Sequence, residues 1–189
     1  LTVFVLDRGL DGARVDVHNE AGEAVAGSLT VRIFSAGSAL LAEATESITV
    51  PARGAASAHV EAMIGRFADP TYAYRFGPRA HAAIQARFEA DGAPAVTGFH
   101  WIVPPDALPP AGLSGTIGPD GGGTVRTDAL AAGVRLDLRG RVPDVGYFDL
   151  APGEESGFTS GSATDATGSP RGYVEAENAP EGSRLAAES

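Results

Sequence analysis

Short runs in which apolar and polar residues alternate recur along the chain, and they constrain the fold more than any other feature. The clearest runs span residues 13–19, 28–34, 57–63, 83–90 and 95–103. A period of two places successive side chains on opposite faces of an extended strand. The 25 glycines and 13 prolines lie mainly between such runs and indicate turns. The sequence therefore predicts an all-β fold built from antiparallel strands.

The same alternation predicts which side chains face the core. Charged and polar residues occupy the intervening positions, as in strands with one buried face. The predicted inward residues of the runs at 13–19, 28–34 and 83–90 are Val15, Val17, Leu29, Val31, Ile33, Ile84, Ala86 and Phe88. In the run at 57–63, Ala58, Val60 and Ala62 are predicted to share one side.

A segment with four prolines, residues 104–110, marks the predicted domain boundary. About seven strands with turns between them precede it, which predicts an immunoglobulin-like β-sandwich over residues 1–103. Residues 104–111 are then a linker, and residues 112–160 form a second, smaller β-sandwich. Residues 161–189 are rich in Ser, Thr, Gly, Asp and Glu, and we expect a polar C-terminal tail.

Composition excludes several classes of function. The net charge of −10, with 14 arginines and no lysine, argues against a nucleic-acid partner, because phosphate binding needs a basic surface. No apolar run is long enough for a membrane helix. The chain has no cysteine, and His18, His59, His81 and His100 are scattered. We therefore expect no metal and no cofactor.

An aromatic stretch at residues 66–78 is predicted to be a strand that shows Tyr72, Tyr74 and Phe76 on one face. Large aromatic side chains need a cover, which is a partner sheet, a neighbouring domain or a ligand. Packing in the core or between domains is the favoured interpretation, and stacking on a sugar, with Trp101 nearby, is the alternative. Arg75 is expected to hold carboxylates or carbonyl groups of a neighbouring domain.

Acidic residues are candidate general acid and base groups. Such catalysis needs two carboxyl groups that face one substrate. The spacing of Glu43, Glu46, Glu61 and Glu89 pairs none of them across a site. No catalytic residue is therefore predicted in this chain.

Three groups of residues carry a family resemblance. They are the aromatic stretch with His81, the run at residues 126–137, and the run at residues 147–154, which contains a Phe-Asp-Leu sequence and a Pro-Gly-Glu turn. On these motifs the chain resembles the C-terminal accessory domains of family 2 glycoside hydrolases, with the nearest likeness to the β-mannosidase branch. The resemblance covers most of residues 1–155.

The resemblance implies a non-catalytic C-terminal portion of a retaining exo-glycosidase that removes β-linked mannose or a similar sugar. In that family a (β/α)8 barrel carries two catalytic glutamates, and this chain has no segment of that kind. The implied partners are the catalytic barrel of the same polypeptide and, through the parent enzyme, an oligosaccharide. The residues expected to serve packing between domains are Arg66, Tyr72, Tyr74, Arg75, Phe76, Trp101, Tyr147, Phe148 and Asp149.

Two other functions stay open from the sequence. An autonomous carbohydrate-binding or adhesion module would show at least two coplanar exposed aromatic rings and would bind mannan. A β-sandwich unit unrelated to sugars would keep the fold and lose both properties.

Overall fold

The computed structural model describes residues 1–75, 77–162 and 170–187, apart from the side chain of Ser162. Antiparallel strands dominate the described chain, which confirms the all-β prediction. The chain divides into two compact units, Leu1–Pro104 and Pro105–Ser189. The division falls at the start of the proline-rich segment.

The first unit contains two sheets. Its elements are β1 (Thr2–Asp7), a 3-10 turn (Gly9–Asp11), β2 (Ala13–Asn19), β3 (Val25–Phe34), β4 (Leu40–Val50), β5 (Gly54–His59), α1 (Val60–Ile64), β6 (Ala83–Ala90) and β7 (Val96–Trp101). One sheet has the order β1-β2-β5 and the other β4-β3-β6-β7. The chain crosses between the sheets as in an immunoglobulin-like sandwich.

The core of the first unit lies on the predicted strand faces. The eight inward residues predicted in the runs at 13–19, 28–34 and 83–90 are fully buried and belong to one apolar cluster. Ala62, predicted to share a face with Ala58 and Val60, is exposed. The strands also approach closely where β7 passes β1, because a Cβ at Gly98 would lie 2.5 Å from the carbonyl oxygen of Val3. That position accepts only a residue without a side chain.

The strand predicted at residues 57–63 is wrong in its second half, where α1 replaces it. Val60 is buried, and Met63 and Ile64 pack against the same core cluster. This spacing of three and four residues belongs to a helix, and it overlaps the period of two over so short a run. Gly65 then ends the helix at a φ of 72°.

The second unit repeats the strand order of the first. Its strands are β8 (Leu113–Ile117), β9 (Gly123–Thr127), β10 (Ala131–Leu138), β11 (Arg141–Pro143), β12 (Tyr147–Leu150), β13 (Glu155–Phe158), β14 (Ser160–Ser162), β15 (Gly172–Ala176), β16 (Ala179–Arg184) and β17 (Ala186–Ala187), with a 3-10 turn at Pro105–Ala107. The sheets have the orders β13-β9-β8-β17 and β12-β10-β15-β16, and β11 pairs with β14. Strands β8, β9, β10, β12, β13, β15 and β16 therefore correspond to β1 through β7.

The prediction of a polar tail is wrong for residues 170–187. Strand β15 lies between β10 and β16, so this segment completes the second sandwich. Val174, Ala176 and Leu185 are buried in its core. The segment has few apolar side chains, but its backbone groups pair with β10 and between β15 and β16. Residues 163–169 and 188–189 of the predicted tail lie outside the described residues.

The chain has two asparagines, and each unit buries one of them. Asn19 donates to the carbonyl oxygens of Glu23 and Pro51 and accepts from the Ala21 N–H. Its side chain thus joins two loops at one end of the first sandwich. Asn178 likewise joins separate segments of the second unit, through Ala132, Leu130 and Pro109.

Candidate functional site

The segment between α1 and β6, residues 66–81, is here named the aromatic loop. The prediction of a strand in it is wrong, since no strand is present in the part of this segment that the structure describes. Asp69, Tyr72 and Arg75 have φ angles of 40°, 58° and 56°. Each left-handed residue reverses the chain direction and breaks the period of two. Tyr72 and Tyr74 consequently do not share a strand face.

Tyr74 is held from two sides of the aromatic loop. Its hydroxyl donates to the carbonyl oxygen of Leu10 at 3.0 Å, and its N–H donates to the Asp69 carboxylate at 3.2 Å. Its ring meets the edge of Phe67 with centroids 5.3 Å apart. The exposed fractions are 66% for Leu10, 65% for Phe67 and 42% for Tyr74. These three residues are named the apolar patch.

Tyr72 fixes the other end of the aromatic loop. Its hydroxyl donates to the carbonyl oxygen of Gly77 at 2.7 Å, and the Arg79 guanidinium lies 4.9 Å from its ring centroid. Arg79 also donates to the carbonyl oxygen of Ile102 at 2.9 Å. The cation over the ring and this bond join the loop to the end of β7.

The predicted arginines and Phe76 have different surroundings. Arg66 is exposed and donates to the carbonyl oxygen of Leu41 at 3.2 Å. Arg75 is exposed and occupies a left-handed position. Phe76 lies outside the described residues. The loop therefore presents Arg75 outward, while Arg66 holds its beginning.

His81 closes the aromatic loop just before β6 and is half-buried. Burial lowers the pKa of the His81 imidazole, and the Arg66 guanidinium acts in the same direction. The carboxylate and backbone of Asp69 oppose this change. The net lowering favours a neutral imidazole at neutral pH.

Trp101 stacks on Phe99, as expected for two residues on one face of β7. Their centroids are 5.4 Å apart and the ring planes differ by 9°. Both side chains are half-buried, and they lie opposite Gln85 and Ala83 of β6. The stacked pair covers the outward face of the sheet at its edge.

The three predicted residues of β12 have separate roles in the second unit. Tyr147 is 72% exposed and lies opposite Arg135 of β10, whereas Phe148 packs against the core. Asp149 accepts a hydrogen bond from the Gly133 N–H at 2.7 Å. Gly133 has a φ of 59° and lies where the β10–β12 register shifts. Asp149 therefore stabilises a bulge.

Three of the four glutamates weighed as catalytic groups serve local structure. Glu43 pairs with Arg32 and Glu89 with Arg87. Glu61 accepts from the Ala13 N–H at 3.3 Å. Within residues 1–75, 77–162 and 170–187, no group of three or more potential metal ligands occurs. The helices in those ranges are too short or too polar to cross a membrane.

Leu10 is the member of the apolar patch that the sequence did not indicate. It lies in the turn between β1 and β2, and a turn position gives no periodic signal. Its single clue is an apolar residue between Gly9 and Asp11, where polar residues are usual.

No family model matches the sequence, and no curated protein matches it. Several solved structures, however, are similar to the chain in fold. The exo-chitosanase CsxA of Amycolatopsis orientalis aligns with a TM-score of 0.69 and 15% identity over 98% of this chain and 26% of its own. The β-D-mannosidase of Dictyoglomus thermophilum aligns with a TM-score of 0.63 and 14% identity over 100% of this chain and 22% of its own.

The fold is shared with parts of two glycosidases. The chain spans about a quarter of the length of these enzymes. At such identities the likeness establishes the fold.

Proposed function

We propose that the chain is a non-catalytic accessory portion of a family 2 glycoside hydrolase of the β-mannosidase type. In this proposal it packs against a catalytic (β/α)8 barrel that lies outside the given sequence. The observation that carries the proposal is that a single alignment covers both units together, 98–100% of the chain, within enzymes four times as long. The motifs at residues 66–78 and 147–154 support the same assignment.

The apolar patch supports a docking role. The exposed Phe67 and Tyr74 rings contact each other, and the exposed Leu10 is joined to Tyr74 through its carbonyl oxygen. Exposed apolar patches commonly mark contact surfaces. The loop that carries Phe67 and Tyr74 holds three non-glycine residues in the left-handed region, at roughly 1–2 kcal/mol each. Strained backbone is concentrated at functional sites. We infer that the patch is buried by the parent enzyme.

The test uses the full-length coding sequence that contains residues 1–189. The full-length protein is expected to hydrolyse 4-nitrophenyl β-D-mannoside faster than the β-D-glucosaminide, and the 189-residue chain alone is expected to hydrolyse neither. A faster reaction with the glucosaminide would show that the parent enzyme prefers β-linked glucosamine to β-linked mannose. A parent sequence without a barrel would refute the proposal.

Docking through the apolar patch is tested by Phe67→Ser in the full-length protein. The expected result is a lower melting temperature of the barrel, because an apolar contact is lost. Val142→Ser is the matched control, since Val142 is 64% exposed in the other unit. An unchanged melting temperature for Phe67→Ser would show that the apolar patch is not part of the interface.

A second candidate, an autonomous carbohydrate-binding module, is favoured by the Phe99–Trp101 pair. Two nearly parallel rings on the outward face of β7 offer apolar surface to a pyranose ring. Titration of the chain with mannohexaose, followed by tryptophan fluorescence, separates the two functions. Saturable quenching that Phe99→Ala abolishes would support the binding module, and no change would support the accessory role.

A further inference from the structure

The outward face of the β12-β10-β15-β16 sheet gathers three arginines around one tyrosine. Asp137 lies opposite Tyr173, and Tyr173 lies opposite Arg184. One step along the same face, the Arg139 N–H donates to the carbonyl oxygen of Arg171 at 3.0 Å. The five residues therefore lie on one face, with Asp137, Tyr173 and Arg184 on three adjacent strands and Arg139 and Arg171 just beyond the ends of β10 and β15, while Leu138 between Asp137 and Arg139 is buried.

This cluster contrasts with four arginines elsewhere on the sheets of the chain. Arg14, Arg32, Arg87 and Arg135 form ion pairs with carboxylates of their own sheets. Within the described residues, the structure gives no ion pair or side-chain hydrogen bond to Arg139, Arg171 or Arg184. The chain has 24 acidic residues for 14 arginines, so carboxylate partners are abundant elsewhere.

Placing Arg139 directly beside Arg171 is unfavourable by itself. Like charges opposite each other on neighbouring antiparallel strands destabilise the pair. Three guanidinium groups and the single carboxylate of Asp137 leave a local charge of +2 on a chain whose net charge is −10. A bound anion would remove this repulsion.

The residues also line an open depression of suitable size. A cleft of about 420 Å³ is lined by Asp137, Arg139, Arg171, Gly172, Tyr173 and Arg184, and it is named the arginine cleft. A second recess of about 520 Å³ shares Arg171 and Arg184. The first volume is within the range of small-molecule sites. Tyr173 is 52% exposed beside it.

The chemistry of the lining selects the ligand. Guanidinium groups bind carboxylate and sulfate oxygens through paired, charge-assisted hydrogen bonds. The Tyr173 ring offers an apolar face, and the Asp137 carboxylate can accept a hydrogen bond from a hydroxyl group. A ring that carries both hydroxyl groups and an oxyanion satisfies all three kinds of group.

We propose that the arginine cleft binds an acidic sugar, with its carboxylate or sulfate held by Arg139, Arg171 and Arg184 and its ring against Tyr173. The preference for an oxyanion follows from the arginines alone. The choice of a sugar as the molecule that bears the oxyanion rests on the proposed function.

Calorimetric titration of the 189-residue chain tests the proposal with trigalacturonate, mannotriose and sodium sulfate. Trigalacturonate is expected to bind saturably and more tightly than sulfate, and mannotriose is expected not to bind at this site. The affinity for trigalacturonate should fall between about 10 mM and about 150 mM salt, because screening weakens the ionic contacts.

Variants assign the binding to the cleft. Arg171→Gln and Arg184→Gln should each weaken trigalacturonate binding about tenfold or more, since each removes charge-assisted hydrogen bonds. Tyr173→Ala should weaken trigalacturonate binding and leave sulfate binding unchanged. Arg126→Gln is the matched control, because Arg126 is exposed on β9 of the other sheet.

Three results would overturn the proposal. One is absence of trigalacturonate binding, and another is equal binding of mannotriose. The third is equal affinity for sulfate and trigalacturonate with no effect of Tyr173→Ala, which would show an adventitious anion contact. None of these results bears on hydrolysis by the full-length protein, so failure here is distinguishable from failure of the proposed function.

Discussion

Replacing Asn178 by alanine should destabilise the second unit selectively. The side chain is 5% exposed and lies in the turn between β15 and β16. Its Oδ1 accepts from the Ala132 N–H at 3.1 Å, and its Nδ2 donates to the carbonyl oxygens of Leu130 at 2.8 Å and Pro109 at 3.0 Å. One amide thus joins the proline-rich segment, the start of β10 and the β15–β16 turn.

The size of the effect follows from these three bonds. Each contributes about 1 kcal/mol, and the buried N–H of Ala132 would be left without this partner, which adds to the loss. The free energy of unfolding should fall by about 3–5 kcal/mol. For a unit of this length, such a loss lowers the melting temperature by on the order of 15 °C or more.

Far-UV circular dichroism during urea and thermal unfolding measures this loss. The only tryptophan, Trp101, belongs to the first unit, so its fluorescence reports on that unit separately. Asn178→Asp keeps the size and the acceptor but loses both donated bonds, and it should destabilise at least as much as Asn178→Ala. Glu177→Ala changes an exposed neighbour and is the control. A loss below about 1 kcal/mol for Asn178→Ala, or an equal loss for Glu177→Ala, would refute the reasoning.

Three further predictions concern the first unit and use tryptophan fluorescence as the readout unless stated. Tyr74→Phe removes the bond to Leu10, so the free energy of unfolding should fall by about 1 kcal/mol and trypsin should cleave the aromatic loop faster; an unchanged cleavage rate would contradict this. The pKa of His81 is lowered in the folded chain, so the unfolded chain binds more protons as the pH falls below about 6.5. Lowering the pH from 7.5 to 5 should therefore reduce the urea midpoint more in the wild type than in His81→Gln. Equal pH dependence in the two proteins would show that His81 contributes nothing. Gly98→Ala places a methyl group against a backbone carbonyl of β1 and should cost about 1–3 kcal/mol, whereas Gly22→Ala, with nothing within 4 Å, should be nearly neutral.

The strands of both units were largely predictable where apolar residues alternate. The run from Leu29 to Ile33 could be assigned because each of its inward side chains is apolar and each neighbour is polar or charged. The run beginning at Val60 could not, since four residues of alternation also fit one turn of a helix. Choosing between them needed the core against which Met63 and Ile64 pack.

The candidate site was predictable only in part. The role proposed for Tyr72 and Tyr74 in packing between domains stays a prediction, and the extended conformation predicted for them is not adopted. Left-handed φ angles at Asp69, Tyr72 and Arg75 depend on contacts with residues far along the chain, such as the bond from Tyr74 to Leu10. No local sequence pattern predicts these φ angles.

By itself the sequence determined the fold class, the proline-rich boundary between the two units and the inward faces of the central strands. The reason is that alternation, turn residues and polarity are properties of neighbouring residues. Only the tertiary structure decided that β15 and β16 complete the second sandwich and that Arg139, Arg171 and Arg184 share one cleft. Pairing between distant strands fixes these positions. The register that brings Tyr173 opposite both Asp137 and Arg184 depends on hydrogen bonds that no short stretch of sequence encodes.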